Sequence, residues 1–118
     1  MNCFCTFFSL VCIVWAGLEG LCLANFESQV NPLFEEHCIR CHGPEKSKGK
    51  ITLHTLDSDL SAGNDLNRWE TILEVLESGE MPPEDEPQPD EVARQVVADW
   101  IEQELRAYVE SASQATPA

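Results

Sequence analysis

Past residue 24 this chain is short of cysteine, methionine and positive charge. Of its six cysteines, Cys3, Cys5, Cys12 and Cys22 fall in the first 24 residues, which leaves Cys38 and Cys41. One bridge between residues three apart closes too small a loop to hold a domain, so a disulfide scaffold is excluded. Only Glu19 of the 21 acidic residues lies in that leader, so the rest of the chain carries 20 acids against 7 bases, a net charge of −13. A surface this acidic argues against nucleic-acid and anionic-lipid binding. It serves solubility, or long-range steering toward a partner with a basic docking face. Internal repeats are absent, as are a catalytic carboxylate pair, an activated nucleophile and any sign of a pocket for a small-molecule substrate. The carboxylates after residue 80 read as solvated, and the chain is not expected to be an enzyme.

A membrane-length apolar run is missing too. Residues 3–18 are uncharged and mostly apolar, but 16 residues fall short of the roughly 20 needed to span a bilayer. Glu19 breaks the run, and Cys22 and Ala24 then set small residues in a signal-peptidase pattern, with cleavage after Ala24. No Lys or Arg precedes the run, so an uncleaved membrane anchor is the competing reading. The residues before Cys22 do not form a lipidation box. The expected organisation is a cleaved signal peptide over 1–24, a folded domain over 25–110 and a small, polar, disordered tail over 111–118. The location is then periplasmic or otherwise exported. A mature chain of 94 residues buries a modest core and usually needs a staple. Here that staple must be something Cys38 and Cys41 bind.

What is present reads as three helices. The first is short, about Pro32 to Cys38, with Asn31 as its cap and Pro32 in its first turn. The second spans Leu66 to Ser78, capped by Asn64 or Asp65 and closed by Gly79. Its apolar face is Leu66, Trp69, Ile72, Leu73 and Leu76. A proline-rich acidic loop follows over 82–89. The third helix begins at Pro89 or Asp90, with a stripe of Val92, Val96, Val97, Trp100, Ile101, Leu105 and Tyr108. Residues 43–64 are loop, with at most a brief extended piece at Ile51 and Leu53. The fold class is all-α.

Cys38-Ile39-Arg40-Cys41-His42 has the C-x-x-C-H spacing of a haem-attachment site. Two thiols three residues apart at a helix end can reach the two vinyl groups on one edge of a haem, and the next residue brings an imidazole under the iron. A thioredoxin-like dithiol would sit after a strand in a βαβ unit, and none is present. A structural zinc site would need a second Cys/His pair. The only other imidazoles after residue 24 are His37, read as a surface residue near the haem edge, and His54, read as an exposed loop residue. An exported location agrees with haem, because c-type attachment occurs on the outer side of the membrane.

The one methionine of the mature chain, Met81, stands in Gly79-Glu80-Met81-Pro82-Pro83. Its thioether is a soft ligand that favours ferrous iron, and a His/Met pair raises the reduction potential. The prolines stiffen its loop, so the sulfur is presented at lower entropic cost. A core-filling role for Met81, and His54 as sixth ligand, stay open as alternatives.

With these motifs placed, the chain resembles class I cytochrome c, and most of all the planctomycete-type cytochrome c domain. The residues behind the resemblance are Val30-x-Pro32-x-Phe34, Cys38-x-x-Cys41-His42-Gly43, Lys48-Gly49-x-x-x-Leu53-x-Thr55, Gly63, Trp69, Gly79-Glu80-Met81-Pro82-Pro83 and Trp100-Ile101. Lys50 departs from the pattern, where a second glycine is common, so the loop there is expected to wrap differently. The resemblance implies three main helices wrapped around one covalently bound haem c, with the N- and C-terminal helices crossing. It also implies that Phe34 meets Trp100 or Ile101 and that Trp69 packs near the haem. Such domains often belong to larger chains. The function it implies is that of a monomeric one-electron carrier serving redox partner proteins. The alternative is an accessory haem domain or ligand-sensing module attached to one larger enzyme.

Overall fold

The computed structural model describes residues 25–116. The expected signal peptide lies outside them, as do the last two residues of the expected tail. The described residues form an all-α domain without strands. A π-helical turn Phe26–Val30 runs into α1 (Asn31–His37), followed by α2 (Ile39–His42), short 3-10 turns at Lys48–Lys50 and Leu60–Ala62, α3 (Leu66–Ser78) and α4 (Glu91–Ala115). Ile51 has extended backbone (φ −100, ψ 127) but forms no strand, and an isolated antiparallel bridge joins His42 to Ser47.

The first helical segment starts earlier than its sequence pattern suggests. Asn25, not Asn31, caps it, accepting the Ser28 N–H at 2.9 Å. Asn31 has helical backbone (φ −58, ψ −45) and donates its side-chain amide to Glu35 at 3.2 Å. The cause is apolar: Phe26 packs against the core and Val30 is fully buried, which draws the preceding turn onto the body of the domain. Cys38 then departs from ideal helix (φ −118, ψ −47) and separates α1 from α2.

Helix α3 has the bounds its 3.6-residue pattern predicts, and Gly79 closes it at φ 73 with its N–H on the Leu76 carbonyl at 3.3 Å. Its start differs. Asp65 precedes it in a left-handed conformation (φ 55) and makes no side-chain cap. The carboxylate is engaged elsewhere, accepting the Asp57 N–H at 3.1 Å and the Arg68 guanidinium at 3.0 Å. Those two partners, the Asp57 N–H first, hold it below its ordinary pKa.

Helix α4 begins as expected, with Asp90 accepting the N–H groups of Val92 and Ala93 at 2.9 and 3.3 Å. It continues through Ala115, across most of the segment expected to be a disordered tail from Ser111. The alanines are strong helix formers. The hydroxyls of Ser111, Ser113 and Thr116 bond back to the carbonyls of Tyr108, Glu110 and Ala112. Extending an established helix needs no new nucleus, so these residues prolong it without an apolar contact. Val92 was expected on the buried stripe but is 71% exposed. Arg94 takes the inward register instead, at helical spacing from Val97 and Ile101.

The core gathers Val30, Leu33, Phe34, Leu53, Leu60, Trp69, Ile72, Leu76, Val97, Trp100 and Ile101 into one cluster. Full burial of each large side chain contributes on the order of 1.5–3 kcal/mol. Trp69 is at its centre. It stacks on Phe34 (centroids 5.9 Å apart, 24° between planes) and meets Trp100 edge-on at 5.6 Å. Phe26, not Phe34, supplies the ring packed on Trp100, at 5.8 Å. The Trp69 indole N–H donates to the Asp57 carbonyl at 2.9 Å, which ties the loop before α3 to the core.

Candidate functional site

Helices α1 and α2 present Cys38, Cys41 and His42 along one wall of a cleft of about 480 Å³. Ile72, Val75 and Leu76 of α3 line it as well. So do Met81 and Pro82, and Lys50, Ile51 and Leu53. All four residues singled out by sequence, Cys38, Cys41, His42 and Met81, therefore line the same cavity. His54 is exposed and does not line it. Trp69 does not line it either. The ring between it and the cleft is Phe34, which stacks on Trp69 and reaches the cavity wall.

The donor set suits a covalently attached haem. Cys38 and Cys41 are free thiols, not a disulfide. Burial pushes the Cys38 thiol up to about 11, against the opposing charge of Arg94, so at neutral pH it is fully protonated. The Nδ1 of His42 lies 3.3 Å from the Ile51 carbonyl oxygen. That oxygen can only accept, so Nδ1 carries the proton and Nε2 keeps the lone pair for a metal. The Leu53 N–H donates to the His42 carbonyl at 2.7 Å and fixes the backbone beneath the ring. Met81 is the least covered of the four, 38% exposed at the cleft mouth. The Met81–Pro82 peptide is cis.

Gly43 has a steric reason. Its backbone is extended and buried, and a Cβ there would lie 2.3 Å from the Ile39 carbonyl oxygen and 2.7 Å from Ile39 Cγ2. Only glycine lets the chain turn this closely after His42, where the Gly43 N–H bonds the Lys46 carbonyl at 2.8 Å. Further on, Gly49 and Lys50 are both left-handed, at φ 64 and 61. Lys50 thus adopts the backbone a glycine would hold without strain, so its departure from the family pattern is not accompanied by an ordinary right-handed backbone there.

Residues 38–85 match the family model described as Planctomycete cytochrome C. Over that segment, which is less than half of the chain, this protein is similar to planctomycete-type cytochrome c. The matched segment opens on Cys38 and reaches past Met81, so it contains the attachment motif, the glycine turn and the Met-Pro loop. No curated protein and no solved structure matches the chain.

Several residues of the candidate site were not singled out from sequence. His37 is no free surface residue: its side chain is only 10% exposed, and Nδ1 lies 3.1 Å from the Pro87 carbonyl oxygen. Arg40, inside the C-x-x-C-H motif, pairs with Glu86. Both contacts tie the attachment segment to the loop after Met81, across 46 to 50 residues of chain. Spacing reveals nothing about partners so far apart. Arg94 is different, because a cation at helical spacing from Val97 and Ile101 is a signal in an otherwise apolar stripe.

Proposed function

We propose that this protein is an exported mono-haem c-type cytochrome that carries single electrons through a haem ligated by His42 and Met81. The observation that carries the reading is the convergence of Cys38, Cys41, His42 and Met81 on one cleft, with His54 outside it. Cys38 and Cys41 would hold the haem through thioethers, each thiol adding across one vinyl group with its hydrogen going to the second vinyl carbon, so that no oxidant would be consumed. The attached haem supplies a reversible one-electron couple, set to a higher potential by a His/Met pair than by two imidazoles. His42 contributes Nε2, oriented through its Nδ1 bond to Ile51. Met81, which lines the same cleft, would contribute a soft sulfur. Phe34, Leu53, Ile72 and Leu76 exclude water, which favours the less charged ferrous state.

Export rests on the apolar leader and its cleavage pattern. Among the described residues no helix is long and apolar enough to cross a membrane. Exposed Glu80, Glu84 and Asp85, close in sequence to Met81, favour a redox partner with a basic face. The role is that of a carrier rather than a catalyst, with one haem per chain. The test is redox titration of the haem-loaded protein and its Met81→Ala variant. The wild type should titrate reversibly at a positive potential and the variant at a lower one. An unchanged potential in Met81→Ala would remove Met81 from the ligand set.

A further inference from the structure

The segment that carries Met81 has little apolar burial of its own. Between Glu80 and Gln88 only Pro82 is fully buried, so hydrophobic contact does not hold it against the cleft. Polar contacts do: beside the His37–Pro87 and Arg40–Glu86 contacts on the attachment side, a second set converges on one side chain of α4. The Arg94 guanidinium is 11% exposed. Its Nη1 donates to the Met81 carbonyl at 2.8 Å and, more weakly, to the Leu76 carbonyl at 3.5 Å. Its Nη2 donates to the Gln88 side-chain oxygen at 2.8 Å. The Gln88 amide nitrogen lies 3.1, 2.8 and 3.0 Å from the carbonyl oxygens of Pro82, Pro83 and Glu86. One planar fork thus grips both the residue that bears the sulfur and the residue that folds the rest of the segment. A lysine ammonium, as a point charge on a flexible stem, lacks the rigid geometry to hold both at once.

Resting on the ligation reading above, we infer that Arg94 is the positioning residue for the Met81 thioether, acting through Gln88. It sets how readily Met81 yields its place to an outside ligand. Arg94 bonds the Met81 backbone carbonyl and not its sulfur. The control is exerted on the Met81 carbonyl and on the turn that follows. Loss of a charge-assisted hydrogen bond of this kind shifts an equilibrium by about tenfold to a hundredfold.

The test uses the haem-loaded, ferrous protein at neutral pH with carbon monoxide as the probe. The wild type should resist carbon monoxide and Met81→Ala should bind it freely. Arg94→Leu and Gln88→Ala should each bind it at least about tenfold faster than wild type, with potentials displaced toward that of Met81→Ala. Arg94→Lys should fall between them and wild type. Gln88 is exposed, so its variant decides the matter should Arg94→Leu fail to fold. The inference is overturned if Gln88→Ala and the folded Arg94 variants resist carbon monoxide as the wild type does, at unchanged potential, whatever happens to their melting temperatures. Free binding by the wild type would overturn it as well. Resistance in Met81→Ala gives a different pattern: the ligation reading itself fails, and this inference falls with it.

Discussion

Replacing Gly43 by alanine separates two reasons a protein can need glycine. At Gly43 the backbone is extended (φ −121, ψ −164), so alanine meets no torsional obstacle. The obstacle is contact, since the new Cβ would stand 2.3 Å from the Ile39 carbonyl oxygen and 3.2 Å from its carbon. Relief requires moving the last turn of α2, which carries Cys41 and His42, by about 1 Å in a packed region. Overpacking of this kind costs roughly 1–3 kcal/mol, and a backbone obstacle belongs at the upper end. Gly79 is the reverse case. A Cβ there meets nothing within 4 Å, but φ is +73, and the left-handed conformation costs alanine about 1 kcal/mol. For a domain of this size 1 kcal/mol is about 4–8 °C in melting temperature. Thermal unfolding of the haem-loaded proteins should therefore show Gly43→Ala lower by roughly 8–20 °C and Gly79→Ala by roughly 4–8 °C. Because the strain in Gly43→Ala falls on the His42 turn, its visible spectrum should shift too, whereas that of Gly79→Ala should not. Equal melting temperatures for Gly43→Ala and wild type would refute the steric argument.

Lys50→Gly should raise the melting temperature, because it relieves a left-handed lysine (φ 61). The gain is about 0.5–1 kcal/mol after the extra entropy of glycine in the unfolded chain is subtracted. A lower melting temperature would mean that Lys50 makes a contact worth more than its strain. Cys38 predicts a pH dependence that separates the chain before and after attachment. Its thiol is raised to about 11 in the folded chain without haem, so the folded state holds a proton that the unfolded state releases. The resulting stability is fully present below the ordinary thiol pKa and is lost as pH climbs from about 9 to about 11. Urea melts of the unloaded chain should weaken over that window, and those of the loaded protein, whose Cys38 no longer titrates, should show no such loss from this group. Alkylation of Cys38 in the unloaded chain should speed up about tenfold per pH unit across the same range.

The gathering of Cys38, Cys41, His42 and Met81 on one cleft was legible from residue type and short spacing. The C-x-x-C-H spacing brings two thiols and an imidazole together on a helix end, and Met81 stood out as a methionine flanked by prolines. Helix α3 was legible for a similar reason, since its apolar spacing and Gly79 encode both its face and its end. The caps were harder to read. Asn31 and Asp65 are good capping residues, but tertiary contacts gave them other work: Asn25 starts the first segment earlier, and the Asp57 N–H and Arg68 claim the Asp65 carboxylate. The hydrogen bonds that hold the Met81 segment were least legible. His37 to Pro87 and Arg40 to Glu86 join residues 50 and 46 positions apart, and only the packing of α1 and α4 on α3 brings them together. Lys50 hid a glycine-like backbone behind an ordinary side chain, and the serine-rich end of α4 hid a helix behind a tail-like composition.

The central claim is covalent attachment of haem at Cys38 and Cys41, and denaturing electrophoresis with haem staining tests it most directly. The full chain would be produced with a c-type maturation system, beside a variant carrying Cys38→Ala and Cys41→Ala. The account predicts that the denatured wild-type band keeps its haem and the double variant's band has none. A wild-type band without haem, or a double variant that stains as strongly, would contradict it.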